Sequence, residues 1–305
     1  MKFSLNINTI RPWDEIKEIA KFLDQNNWHA LYISDHFMPN GVRETDGDIV
    51  ECWSTLSSLA SITNNINLGS FVSPLSTRHP AILANTAGTL HNISNGRVIL
   101  GIGAGWQINE HKAYGFDLLP PKERIKRFGE GIEIIYGLLN NDRFSFKGEY
   151  YEIKNATCQP NKFKNKKIPI LVGSNGSSMM KYISLYADAW NCVGSADFAC
   201  SKSNELDKKI NKQSDDADWI NYRKLNILRS VTTSMLLIDD TTRPIIKKYK
   251  SIVRPNFFGS KDAIINIIDI YKKHNFEEIV LGDMLDFKDL NDLFIILNRI
   301  KNEFE

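Results

Sequence analysis

"GRVILGIGAGW", residues 96–106, is an apolar run that breaks into alternating glycines and ends on a tryptophan. A run of Val, Ile and Leu without polar alternation suits a strand buried on both faces, and parallel strands are covered on both faces by their crossover helices. The glycines at 101, 103 and 105 raise the question of a nucleotide, because backbone that approaches a phosphate closely uses glycine. A dinucleotide fingerprint needs G-x-G-x-x-G and an acidic residue closing the next strand about 20 residues on. Here the position after the third glycine is Trp106, and no second strand ending on an acid follows. The fingerprint fails, which leaves a parallel strand whose end is nearly bare of side chains.

Seven further β-rich runs surround it, most of them continuously apolar as well. They are "FSLNI" (3–7), "ALYIS" (30–34), "INLGSFV" (66–72), "IPILVG" (168–173), "AWNCVG" (189–194), a weaker run near 231–237, and "EIVLG" (278–282). Segments of helical periodicity lie between them. In "PKERIKRFGEGIEIIYGLL" the residues Ile125, Phe128, Ile132, Ile135 and Leu139 share one face behind Pro120 and Pro121. "ECWSTLSSLASIT" and "DAIINIIDIYKKH" read as two more helices. Eight strands alternating with helices over 305 residues predict an α/β fold, a (β/α)8 TIM barrel in a single domain over 1–305. The gap between the fourth and fifth strands is too long for one crossover. It contains "RFSFKGEYYEI" (143–153), which reads as a β-hairpin within an insertion of about 140–167.

Composition narrows the function. Hydrophobic residues are 42% and charged residues 24%, and the net charge is +2 from 38 basic and 36 acidic residues. That balance argues against nucleic acid or a membrane surface as partner. Cys52, Cys158, Cys192 and Cys200 form neither a C-x-x-C pair nor a metal-ligand spacing with histidine, so they read as free thiols and no metal is expected. The N-terminus lacks an apolar signal-peptide core and no later run approaches a membrane span, so a cytoplasmic location is expected.

Barrel enzymes work where strands end and loops begin, so those residues carry the reading. After the second strand, "SDHFMPN" (34–40) offers His36, able to serve as acid, base or cofactor hydrogen-bond donor; a rim histidine satisfied by a carbonyl is the plainer alternative. Asp35 suits capping or orientation better than reaction. After the third strand, "LGSFV" holds a glycine that marks either a bulge or a close packing contact. After the fifth, "VGSNGSSMMKY" runs glycines and hydroxyls into a helix, which makes either a phosphate cradle or an ordinary capped helix. His29, His91, His111 and His274 read as structural.

Taken in order, "LYISDHF", "LGSFVSPLSTRHPAILAN", "ISNGRVILGIGAGWQINEHKAYGF", "ERIKRFGEGIEII" and "PILVGSNGSSMMKYISLYADAWN" resemble the luciferase-like monooxygenase superfamily, the flavin- and deazaflavin-dependent barrels related to bacterial luciferase. The likeness runs from about residue 30 to 195 and is strongest to the branch that uses coenzyme F420. It implies an oxidoreductase that transfers a hydride between F420 and a small organic substrate. Two alternatives are an FMN-dependent monooxygenase using dioxygen and a non-catalytic flavin-binding paralogue.

The resemblance also implies roles. His36 faces the cofactor ring, with Asp35 beside it, and Ser70, Phe71 and Val72 back the ring through a cis peptide at Phe71–Val72. Trp106 and Asn109 stand at the level of ring and linker. Gly173, Ser174, Asn175 and Gly176 receive the cofactor phosphate, Asn40 contacts substrate, and a homodimer is implied. Sugar-phosphate dehydrogenases of this branch carry an acid where this chain has Trp106 and a tryptophan where it has Asn40, which argues against that activity. Gly105→Val is expected to block ring binding while sparing the fold. Substrate choice is expected from the loops after strands one, two and seven and from the 143–153 insertion.

Overall fold

The computed structural model describes residues 1–39, 49–249, 257–283 and 287–305. Its barrel strands are β1 (Lys2–Ile7), β2 (Ala30–Ile33), β3 (Asn67–Ser70), β4 (Val98–Gly103), β5 (Ile170–Gly173), β6 (Ala189–Val193), β7 (Leu228–Thr233) and β8 (Phe276–Leu281). Each pairs in parallel with its sequence neighbour, and β8 closes on β1 through Lys2↔Glu278 to Leu5↔Leu281. The result is the eight-stranded β/α barrel that the apolar runs predict.

One run was two elements. The stretch near 231–237 divides into β7 and a separate strand, Met235–Leu237, which leaves the barrel to pair in parallel with Phe257–Gly259. All three of its side chains are buried outside the barrel wall, so its apolar character belongs to a satellite layer.

The main core lies between strands and helices, as a parallel sheet covered on its outer face requires. A smaller cluster of Ala30, Tyr32, Leu171, Ala189 and Val280 fills the inside of the barrel. Glu278 shares that interior, accepting hydrogen bonds from Ser4 and, at 3.3 Å, from Tyr32.

β3 carries the bulge. Gly69 pairs with Ile99 and Ser73 with Ile102, so four steps on one chain meet three on the other. The extra residue falls at Phe71–Val72, whose peptide is cis. Here "LGSFV" is a bulge and a close approach together, since a Cβ on Gly69 would stand 2.8 Å from the Ile99 carbonyl oxygen.

The insertion is a hairpin of Phe144–Lys147 against Glu152–Ala156. Its tip is fastened to helix Pro121–Asn140, because the Glu130 carboxylate accepts the N–H groups of Glu149, Tyr150 and Tyr151 at 2.7, 2.9 and 3.2 Å. None of residues 143–153 lines the site described below.

Candidate functional site

The C-terminal strand ends surround a cavity of about 720 Å³, within the range of small-molecule sites. His36 enters it three residues after β2. Its partner comes from the next-but-one strand: beyond β4 the chain turns into helix Ile108–Tyr114, whose first turn presents Glu110. Glu110 is 1% exposed, and its oxygens stand 3.1 and 3.3 Å from His36 Nδ1. It also accepts the backbone N–H of Phe37 at 3.0 Å. Burial pushes this carboxyl up, but the hydrogen bonds from His36 and Phe37 and the nearby imidazoles of His36 and His111 outweigh it and hold the acid below its ordinary value. An ionised carboxylate only accepts, so Nδ1 carries a proton, and in the neutral ring it is Nε2 that keeps the unshared pair.

Phe71 and Val72 form an apolar wall of the cavity. The flanking glycines make room for it: a Cβ on Gly103 would stand 2.7 Å from Val72 Cγ2, and one on Gly173 would stand 2.9 Å from Val72 Cγ1. Ser70 does not reach the cavity; it is fully buried and donates to the Gly101 carbonyl at 2.7 Å. A strand residue next to an inward-facing one points the other way, so Ser70 stands behind Phe71 rather than in the lining.

Gly173, Ser174, Asn175 and Gly176 all line the cavity. Ser174 Oγ accepts the Gly176 N–H at 3.0 Å, and Asn175 exchanges two hydrogen bonds with the Val193 backbone at 2.8 and 2.9 Å. The Asn175 side chain therefore fastens the turn to β6.

Trp106 lines the opening, 55% exposed, with its ring edge-on to His36 at 5.7 Å between centroids. Asn109 lies outside the lining; its amide donates to the Pro39 carbonyl at 2.9 Å, while Gln107 donates to Met38, so the pair tie the helix to the loop after β2. Asp35 is also outside the lining, buried beneath it and bound to Arg78 and Ser73. The place of Asp35 agrees with its reading as an orienting residue, and Asn109 completes a backbone contact in its own loop. Asn40 lies outside the described residues.

Gly105 has φ +87°, and a Cβ there would collide with Ser76 Oγ, the partner of His111 Nε2 at 2.8 Å. Gly105→Val therefore strains the backbone and unseats a buried contact, contrary to the expectation that the fold is spared. His111 is structural, as read: 1% exposed, with Nδ1 donating to the Gln107 carbonyl at 2.7 Å.

Sequence reading missed Glu110 and Arg124. Glu110 sits in "NEHKAYG", and its signal was an acid in the first turn of a helix directly after a barrel strand. Arg124 carries the only permanent positive charge in the lining among the described residues; it donates to the Gly105 carbonyl at 2.7 Å and the Leu119 carbonyl at 3.1 Å. Asn6, Asn191 and Thr232 add polar atoms from β1, β6 and β7, with Thr232 donating to Asn191 at 2.9 Å. Among the described residues no group of His, Cys, Asp and Glu is arranged to hold a metal ion, and no helix is long and apolar enough to cross a membrane.

Residues 2–205 match the family model of the luciferase-like monooxygenases. The F420-dependent glucose-6-phosphate dehydrogenases of Amycolatopsis mediterranei (strain U-32) and Kineococcus radiotolerans are 30% and 31% identical to it over 180 residues. Those alignments cover 59% of this chain and 53% and 52% of the relatives, so the chain spans about half the length of the curated relatives it matches. Among solved structures, an F420-dependent secondary alcohol dehydrogenase in complex with an F420-acetone adduct superposes with a TM-score of 0.80 at 16% identity, covering 100% of this chain and 99% of that one. The F420-dependent tetrahydromethanopterin reductase of Methanopyrus kandleri gives 0.75 at 18%, covering 99% and 98%. The oxygenating constituent of 3,6-diketocamphane monooxygenase from Pseudomonas putida, in complex with FMN, gives 0.72 at 17%, covering 99% and 98%. At these identities the structural likeness speaks for the fold. The family match, spanning two thirds of the chain on a barrel whose strand ends converge on His36 and Glu110, establishes that this protein belongs to the luciferase-like monooxygenase family.

Proposed function

We propose that the protein is an F420-dependent oxidoreductase acting on a small organic substrate, with His36 managing the proton. The observation that carries this reading is the His36–Glu110 pair, which shares a mainly apolar cavity with the glycine-serine turn after β5.

The residues present fit the cofactor. The Phe71–Val72 wall, left uncovered because Gly103 and Gly173 lack Cβ atoms, accommodates a planar ring. The Ser174 hydroxyl, which can still donate while it accepts the Gly176 N–H, and the Arg124 guanidinium supply a donor and positive charge for the phosphate. F420 supplies two-electron hydride chemistry at its ring. In the direction of alcohol oxidation, His36 Nε2 accepts the hydroxyl proton while Glu110 stabilises the imidazolium; in reduction the same nitrogen returns it. The apolar lining excludes water and holds the reactants in one orientation.

Titration with F420 and with FMN in separate cells tests the assignment. Saturable perturbation of the F420 absorption band, with FMN displaced or unbound, is the expected result. Saturation by FMN alone overturns the cofactor, and an F420 complex that exchanges no hydride with any alcohol or carbonyl of a broad panel overturns the activity.

A further inference from the structure

His36 lies between two residues held by a single side chain. On one side, the buried Asp35 carboxylate accepts Arg78 Nη2 at 2.6 Å and Nε at 3.1 Å, and it accepts the Ser73 hydroxyl as well. Ser73 in turn accepts Trp53 Nε1 at 3.0 Å. On the other side, the Arg78 guanidinium carbon lies 5.2 Å from the centre of the Phe37 ring, within cation–π range. Arg78 itself is anchored to Glu51 at 2.6 Å, and Glu51 caps helix Cys52–Ile62 by accepting the Ser54 N–H. The Phe37 N–H then points at Glu110. One planar cation thus ties both neighbours of His36 to a helix start, although neither it nor Asp35 lines the cavity.

We propose that Arg78 is a positioning residue that sets the pose of His36 against Glu110; its effect on turnover rests on the reading of His36 as the proton-handling group. Lysine cannot take its place, because one ammonium cannot make the two-pronged contact to Asp35, reach Glu51 and cover the Phe37 ring together.

The test uses the full chain labelled with ¹⁵N-histidine. In the wild type, the His36 Nδ1–H proton gives a signal shielded from solvent exchange by Glu110. In Arg78→Lys and in Phe37→Leu that signal is expected to broaden or vanish while the fold, followed by circular dichroism, is kept. Turnover should fall on the order of tenfold in kcat, with the dissociation constant for F420 nearly unchanged. Ser73→Ala, which removes one Asp35 contact, should move both readouts in the same direction by less, and it carries the test if Arg78→Lys does not fold. A sharp His36 signal and wild-type kcat in folded Arg78→Lys overturn the proposal, as does a loss of kcat that only follows the folded fraction. The spectrum needs no substrate, so it reports on Arg78 even if His36→Ala leaves turnover intact and the functional reading falls.

Discussion

His36 Nδ1 lies 3.1 Å from one oxygen of Glu110, and the other oxygen of that carboxylate accepts the N–H of Phe37 at 3.0 Å, so a single buried acid holds both the imidazole and the loop that carries it. The arrangement selects the tautomer with the proton on Nδ1, and on the proposed reading Nε2 is the nitrogen that meets the substrate. If that nitrogen moves the proton, His36→Ala should lower kcat by roughly 10²- to 10⁴-fold while F420 affinity changes only severalfold. Glu110→Gln should cost about 10- to 100-fold, because the amide no longer enforces the tautomer or stabilises the charged ring. Steady-state rates alongside a binding titration separate the two effects. Unchanged kcat in His36→Ala would remove it from the mechanism.

Arg124 is the permanent cation of the described lining, held by the Gly105 and Leu119 carbonyls. Arg124→Gln should raise the dissociation constant for F420 about tenfold and flatten its dependence on salt, since the lost contact is charge-assisted. An affinity and salt slope like the wild type's would place the cofactor phosphate away from this residue.

Gly105 stands at φ +87° against Ser76. Gly105→Ala should destabilise the fold by about 1–3 kcal/mol through the left-handed backbone and the displaced Ser76–His111 contact, and denaturant unfolding measures it. Gly103→Ala acts differently. Its backbone is not left-handed, but its Cβ presses on Val72, so cofactor binding should suffer more than stability.

Glu278 gives a pH signature unrelated to the active site. Burial pushes its carboxyl up from 4.5 to about 7, against the hydrogen bonds of Ser4 and Tyr32. The folded protein therefore holds a proton that the unfolded chain releases between those two values, so stability falls as pH rises from 4.5 to about 7 and levels off above. Glu278→Gln should remove that slope and stabilise the protein at pH 8 by something on the order of 3 kcal/mol, with little gain at pH 4. Parallel slopes in urea unfolding for both proteins would show that Glu278 titrates normally.

Local sequence carried the architecture because its causes are local. Eight short β-rich runs, most of them continuously apolar, point to strands covered on both faces, and the glycines of "LGSFV" and "GIGAGW" mark where backbones crowd. Even the bulge at Phe71–Val72 was legible once the family resemblance was in view. The direction of individual side chains was not. Asp35, Ser70 and Asn109 have suitable chemistry in suitable loops, yet each turns from the cavity toward Arg78, Gly101 or Pro39.

By itself, then, the sequence determined a β/α barrel, an inserted hairpin and a histidine at a strand end, while the bulge beside β3 needed the family resemblance. Only the tertiary structure decided which groups meet. Glu110 reaches His36 across 74 residues and Arg78 reaches Asp35 across 43. Those meetings depend on barrel closure and strand register, which place distant strand ends side by side, and no pattern of neighbouring residues encodes that distance.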